Sequence, residues 1–311
     1  MQDIVERFLE GDRRALARVI SRLEDESPEG RDYLREIYPR SGNAHTIGIT
    51  GGAGSGKSTL TGALAAEYRS RGKTVGIIAV DPSSPFSHGA ILGDRIRMQE
   101  HSMDSGVYVR SMAGRGALGG VAPSINDVVA AVEAFGFDYV LVETVGAGQD
   151  EVEIADTAMT TVLVNNPGTG DDIQALKAGI IEIADVLVVN KADHPGADTL
   201  VSQLRGLLTL SPKDMRKPAI VKTTATKHEG MDELADAIAD HLEYLRQENR
   251  EMEQRAKNAR HQVLSVARGI LLQRIQNAYS QDALEDLVRR VAAREIDPHT
   301  AAEQLADAAT G

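Results

Sequence analysis

Apolar positions along this chain change period twice, and the changes divide it into three parts. From Met1 to about Asn43, Ile4, Phe8, Leu16, Val19, Ile20 and Leu23 recur at the three-to-four spacing of amphipathic helices. Pro28-Glu29-Gly30 is expected to break this region. A short helix is expected around Tyr33 to Ile37, and a linker over Pro39 to Gly42. From Thr46 to about Leu245, short apolar runs alternate with helical stretches. The predicted strands are Thr46–Thr50, Thr74–Val80, Val107–Arg110, Tyr139–Glu143, Thr161–Asn165, Val186–Asn190 and Ala219–Thr223. Most are apolar throughout rather than alternating, as in a parallel sheet covered on both faces. From Glu243 to Asn277 the pattern is helical again, with Leu245, Met252, Val263, Leu264, Val266, Ala267, Ile270, Leu271 and Ile275 on a helix whose first half is highly charged. Such a helix cannot bury its stripe alone, so it must pack on the central domain or on a second copy. Two short helices close the chain. The last is marked by Pro298 and by Thr300-Ala301-Ala302-Glu303, which resembles a capping box. The expected organisation is a helical extension over 1–45, an α/β domain over 46–245 and a helical extension over 246–311.

The junction between the first predicted strand and the helix after it carries chemistry. Gly51-Gly52-Ala53-Gly54-Ser55-Gly56-Lys57-Ser58 fits G-x-x-x-x-G-K-[ST]. The glycines let the backbone wrap a phosphate with successive N–H groups turned inward. The helix that starts at Lys57 adds its positive end. Lys57 would reach the outer phosphates, the Ser58 hydroxyl would ligate Mg²⁺, and Gly52 to Thr59 form the phosphate-binding segment. The fold class that follows is a P-loop NTPase.

The base is read further along. Val186-Leu187-Val188-Val189 leads into Asn190-Lys191-Ala192-Asp193, an N-K-x-D motif after a buried strand. The Asp193 carboxylate can accept from the ring N–H and the exocyclic amine of guanine, and adenine offers neither there. A carboxylate left unpaired against adenine costs several kcal/mol. Asn190 braces the loop, and the Lys191 stem covers the base. Thr223-Thr224-Ala225, after the next strand Ala219-Ile220-Val221, occupies the place where a backbone N–H supports the guanine oxygen, with Thr224 and Ala225 as the candidates.

Acids end two strands: Asp81 after Ile77-Ile78-Ala79-Val80, and Glu143 after Tyr139-Val140-Leu141-Val142. Strand carboxyl ends are where ligands bind in such sheets, and acids there can serve Mg²⁺ directly or through water. Asp94 lies in a segment flanked by Gly89 and Gly93. Composition narrows the classes. Lys+Arg 34 against Asp+Glu 46 gives a net charge of −12 without a basic run, which argues against nucleic-acid binding. Cys is 0, so there is no disulfide, thiolate metal site or cysteine nucleophile. No run approaches the ~20 apolar residues of a membrane span. Met1 to Arg7 is acidic and amphipathic, unlike a signal peptide. A cytoplasmic enzyme is expected.

Four longer segments extend the reading: Ala79-Val80-Asp81-Pro82-Ser83-Ser84, Ile91 to Met98 around Asp94, Leu118-Gly119-Gly120-Val121-Ala122, and Glu143-Thr144-Val145-Gly146-Ala147-Gly148-Gln149-Asp150-Glu151. In this order they resemble the MeaB/ArgK/MMAA family of P-loop GTPases, chaperones of cobalamin-dependent acyl-CoA mutases. The resemblance implies GTP and GDP as ligands and GTP hydrolysis as the activity. It places Asp81, Asp94 and Glu143 with Ser58 around Mg²⁺, switch I around Asp94 and switch II over Glu143 to Glu151. It implies a third switch over Pro167 to Lys177, with Gln174 and Lys177 relaying nucleotide state to the mutase, and a homodimer through the C-terminal helices. Gln149 is a candidate for orienting the attacking water, although it follows Gly146 by three positions.

Asp297-Pro298-His299-Thr300-Ala301-Ala302 resembles the cobalamin motif D-x-H-x-x-G, but its sixth position is Ala and nine residues follow. Cobalamin is therefore expected on the partner and not on this chain. Three other readings share parts of the pattern. A metal-insertion GTPase would need clustered Cys or His, and the eight His are dispersed. A nucleotide-dependent kinase or ATPase, the older ArgK reading, would need an acceptor site and would not need N-K-x-D. A binding module without turnover would keep both loops and hydrolyse nothing.

Overall fold

A computed structural model describes residues 2–81, 104–113, 123–144, 150–167, 182–209, 216–247, 250–278 and 280–310. Its elements run α1 (Gln2–Leu9), α2 (Arg13–Glu24), α3 (Pro28–Ile37), β1 (His45–Thr50), α4 (Lys57–Ser70), β2 (Val75–Asp81), β3 (Val107–Ala113), α5 (Pro123–Phe135), β4 (Tyr139–Thr144), α6 (Asp150–Thr157), β5 (Thr160–Asn165), β6 (Val186–Val189), α7 (Ala197–Leu208), β7 (Ala219–Lys222), α8 (Met231–Arg246), α9 (Arg250–Ala278), α10 (Gln281–Ala292) and α11 (Pro298–Thr310). Each of the seven expected strands forms, its ends displaced by no more than three residues.

The strands make one parallel sheet in the order β3-β2-β4-β1-β5-β6-β7. From β1 the chain moves outward to β2 and β3, returns to β4, and crosses β1 to reach β5. The loop after β1 therefore leaves the sheet between β4 and β5, where the strand order reverses. This is the crevice in which parallel sheets bind ligands. Successive residues of a strand feed opposite faces. Ile78 and Val80 pack with α1, α2, α3 and α5, whereas Val75, Ile77 and Ala79 pack with α4 and α8. That two-sided burial is why the strands lack alternation. The N-terminal helices share the first of these cores, where Phe8 meets Phe135 edge-on at 5.3 Å.

Several helix boundaries differ from expectation. Pro28-Glu29-Gly30 starts α3 instead of breaking a helix. Pro28 lies in the first turn, and the Ser27 hydroxyl accepts from the Gly30 N–H at 3.0 Å. The stretch expected to be helical from Glu243 to Asn277 is two helices, one ending at Arg246 and the next starting at Arg250. The terminal helix is capped by Asp297, not by Thr300, because the Asp297 carboxylate accepts from the N–H groups of His299 and Thr300 at 2.9 and 3.1 Å.

The chain forms two compact units, Met1–Asn258 and Ala259–Gly311. In the first, Arg255 donates to the Gly42 carbonyl at 2.7 Å and Asn258 to the Ala158 carbonyl at 2.9 Å, so the start of α9 is fastened below β1 and β5. In the second, Leu287 and Ala301 are buried, and Val263, Leu264, Leu271, Leu272, Leu284 and Val288 are exposed. No described helix is long and apolar enough to cross a membrane.

A polar chain runs beneath the sheet. His45 Nε2 lies 2.7 Å from Thr160 Oγ1, which lies 2.8 Å from His241 Nδ1; His241 Nε2 lies 3.2 Å from Asp185 Oδ1. Burial, with His241 and Arg246 nearby, pulls His45 down to about 3, and burial with Arg216 nearby pulls His241 down to about 4. Burial raises Asp185 to about 6 against the opposing Thr161 N–H, Arg216 and Lys257. The folded histidines bind fewer protons than the unfolded ones, so their contribution is full above about 6.5 and is lost as pH falls through their folded values. Asp185 acts in the opposite sense, its contribution falling as pH rises through about 6. Asp127, also raised by burial to about 6, acts with Asp185, so two carboxyls offset two histidines and stability is expected to change little between pH 6.5 and 4. Urea denaturation across that range checks this, and His241→Gln, which removes one histidine from the balance, should make stability rise as pH falls by on the order of 1 kcal/mol per unit.

Candidate nucleotide site

The phosphate loop is a turn that two contacts reserve for glycine. Gly51 has φ +140°, and a Cβ there would lie 2.2 Å from the Val164 carbonyl oxygen of β5. Gly56 has φ +92°, and its Cβ would lie 2.5 Å from Asn190 Nδ2. Gly56 also stands at the N-cap of α4, where it has no side-chain oxygen to offer. The first N–H groups of α4 thus face the loop without a side-chain cap, the arrangement that receives an anion. Gly52, Ala53 and Gly54 are exposed, whereas Ser55 is buried. Ser58 and Thr59 follow in the first turn, both half-buried.

Lys57 is buried, and its Nζ donates to the carbonyls of Gly51 at 2.6 Å and Gly52 at 3.1 Å. The ammonium is held inside the loop, where incoming phosphate oxygens would replace those carbonyls.

Asn190 joins this loop to the base-reading loop. It is 2 % exposed. Its Nδ2 donates to the Ser55 carbonyl at 2.9 Å, while its Oδ1 accepts from Thr223 Oγ1 at 3.1 Å and from the Ala225 N–H at 3.2 Å. Lys191 adopts φ +55°, and its Nζ donates to the Gly54 carbonyl at 2.8 Å. Ala225 and Thr224 do not offer idle donors: the Ala225 N–H is on Asn190, and the Thr224 N–H is on the Glu229 carbonyl at 3.1 Å. A base oxygen would take over the longer of these. Asp193 is on the rim and accepts from Lys227 Nζ at 3.0 Å. That hydrogen bond holds its carboxyl below the usual range, so it is an acceptor at neutral pH.

Glu143 is fully buried at the end of β4, in register with Ile49 of β1 and Ala79 of β2. Its Oε2 is 2.5 Å from Thr61 Oγ1, on α4 one turn after Lys57. Asp81 ends β2 opposite Ala113. Asp94 and Gln149 lie outside the described residues, as do the segments around Leu118 and from Gly168 to Lys177. Ser58 and Glu143 supply hard oxygen donors at the loop, which fits Mg²⁺. Among the described residues no three His, Cys, Asp or Glu gather into a metal site. A cation that keeps its waters and leans on the nucleotide's phosphates does not need such a cage.

Sequence reasoning missed Thr61 and Lys227, and it named Thr223 without its bond to Asn190. Thr61 had a signal, since it stands four residues after Lys57 on one helix and so on one face. The Thr223–Asn190 and Lys227–Asp193 contacts had none, because the partners are more than thirty residues apart.

A parallel sheet, a phosphate loop at its switch point and a guanine-type loop fastened to it define a P-loop GTPase. Residues 14–280 match the model of the family described as methylmalonyl Co-A mutase-associated GTPase MeaB, and the chain belongs to that family. It is 46% identical over 309 residues to a putative GTPase of Pyrococcus abyssi (strain GE5 / Orsay), covering 98% of this chain and 95% of that one. It is 34% identical over 250 residues to the GTPase ArgK of Escherichia coli (strain K12), covering 77% and 75%. Among solved structures, one described as LAO/AO transport system kinase superposes with a TM-score of 0.73 at 24% identity, covering 98% of this chain and 96% of that one, and shares its fold.

Two outcomes are expected. Asp193→Asn should shift preference from guanine to xanthine nucleotides, measured by competition binding; retained guanine selectivity would remove Asp193 from base reading. Gly56→Ala should weaken GTP binding at least about tenfold, since its Cβ would enter Asn190, with the circular dichroism spectrum unchanged.

Proposed function

We propose that this GTPase is a chaperone that gates the loading, protection or reactivation of adenosylcobalamin on a cobalamin-dependent acyl-CoA mutase, methylmalonyl-CoA mutase or a close relative. The observation that carries the reading is the fastening of the base loop to the phosphate loop through Asn190 and Lys191, in a chain of the mutase-associated family. With that tie, guanine recognition and phosphate recognition are one event, as a conformational timer requires.

In this reading Lys57 leaves the carbonyls of Gly51 and Gly52 for the outer phosphates, and the N–H groups of Gly52 to Thr59 hold the phosphate oxygens. Ser58 holds Mg²⁺, with Asp81, Asp94 and Glu143 around it. Mg²⁺ supplies charge neutralisation of the phosphates when bound. Thr61 fixes the Glu143 carboxylate from the helix that carries Lys57. Gln149 is the candidate for orienting water, and Gln174 and Lys177 for passing nucleotide state to the mutase. Cobalamin stays on the mutase. The exposed apolar residues of α9 and α10 support a homodimer through the C-terminal helices, and the location is cytoplasmic.

The test is steady-state GTP hydrolysis, alone and with the cobalamin-dependent acyl-CoA mutase of the same source. A saturable acceleration of at least about tenfold is expected, and Lys57→Ala should abolish turnover in both conditions. GTP hydrolysis unmoved by the mutase would overturn the chaperone reading and leave the GTPase. Sedimentation at micromolar concentration should give twice the chain mass; a monomer would remove the dimer.

A further inference from the structure

The segment that follows β7 folds back on itself and carries a cation to the base-reading loop. Thr224 and Glu229 pair antiparallel, the Lys227 N–H donates to the Thr224 carbonyl at 2.8 Å, and the His228 N–H donates to the Ala225 carbonyl at 3.2 Å. The turn is closed by its own backbone. At its root the Ala225 N–H and the Thr223 hydroxyl both meet Asn190.

The base-reading loop opposite is also closed by backbone bonds. The Ala192 N–H donates to the Thr223 carbonyl and the His194 N–H to the Lys191 carbonyl, each at 2.9 Å. Asp193 stands on this loop and Lys227 on the turn that faces it. Lys227 Nζ donates to Asp193 Oδ2 at 3.0 Å, the two side chains being 54% and 35% exposed. Exposed ion pairs add little to stability. What this one supplies is direction.

Direction is what base reading needs. The terminal torsion of an aspartate is broad, so a carboxylate without a fixed partner swings about its axis and has to be ordered by the base on binding. Guanine presents two donors in one plane, the ring N–H and the exocyclic amine, and both are met only when the carboxylate lies in that plane. A base with a single donor can be met from many orientations. A carboxylate offers about four lone-pair sites. Guanine needs two and Lys227 takes one, so the cation and the base can be held together.

We propose that Lys227 is a positioning residue for guanine selectivity: its ammonium fixes the plane of the Asp193 carboxylate, so that both guanine donors are met at once. Lys227 acts through Asp193. The inference rests on Asp193 as the base reader and not on the mutase.

The experiment measures the dissociation constants of full-length protein for GDP and for inosine diphosphate, which keeps the ring N–H and lacks the amine. Lys227→Met keeps the stem and removes the charge. It should weaken GDP binding about fivefold and inosine diphosphate binding by less than about twofold, so that guanine-over-inosine selectivity falls. Lys227→Gln, which can still donate a hydrogen bond, should lie between Lys227→Met and the unsubstituted protein. In Asp193→Asn protein, the further change Lys227→Met should leave GDP affinity unchanged, because the two residues act as one unit. Unchanged affinities in Lys227→Met would overturn the proposal. So would equal weakening of both nucleotides, or a further loss of GDP affinity in the Asp193→Asn background, since either would make Lys227 a support of the turn alone. Those results leave Asp193 as the base reader, whereas guanine selectivity retained in Asp193→Asn would remove Asp193 from base reading and the proposal with it.

Discussion

Asn190 has one buried amide and must satisfy both of its ends inside the protein. The amino end reaches the Ser55 carbonyl of the phosphate loop, and the oxygen receives Thr223 and Ala225 from the segment after β7. Three loops from three strands, β1, β6 and β7, therefore close on a single side chain. Removing it would leave a carbonyl, a hydroxyl and an N–H to find new partners, so none of the loops can move far without the others. The left-handed turn at Lys191 and its bond to Gly54 run in parallel with this contact. These contacts tie the loops to one another, and the sheet order that places β5 beside β1, with β6 and β7 following, is what makes the closure possible.

The same constraint explains why glycine is needed at two positions for two reasons. Gly51 passes so near the β5 carbonyl that a side chain has no space, and Gly56 leaves room for the Asn190 amide. Between them Gly52, Ala53 and Gly54 are exposed, and the α4 end behind them has no side-chain cap. Polar groups that other helices satisfy from within, as Asp12 does for α2 and Ser27 for α3, are here kept for a ligand.

The lower edge of the sheet is built on different physics. There His45, Thr160 and His241, all buried, and the half-buried Asp185 contact one another in a row. The network links the first residues of β1 and β5 with α8 and with the approach to β6. Because β1 runs from this network to the phosphate loop, the strand is pinned at both ends, by ring-to-hydroxyl bonds below and by the loop contacts above.

What the sequence by itself determined is local. The seven strands were legible because a sheet covered on both faces needs continuous apolar runs. The phosphate-loop motif and Asn190-Lys191-Ala192-Asp193 were legible as motifs because each is a run of chain neighbours that directly follows an apolar strand. The helix ends around Pro28, Arg246 and Asp297 were misplaced, since caps are decided by single side-chain contacts that periodicity does not register. Only the tertiary structure decided which distant residues meet: Thr61 with Glu143, Lys227 with Asp193, Thr223 with Asn190, and His45 with Asp185 through two intermediates. Those pairs are separated by many residues, and no short-range pattern encodes them. They exist because parallel crossovers bring strand ends together from all along the chain, and buried polar groups then bond to whatever partner the packing supplies.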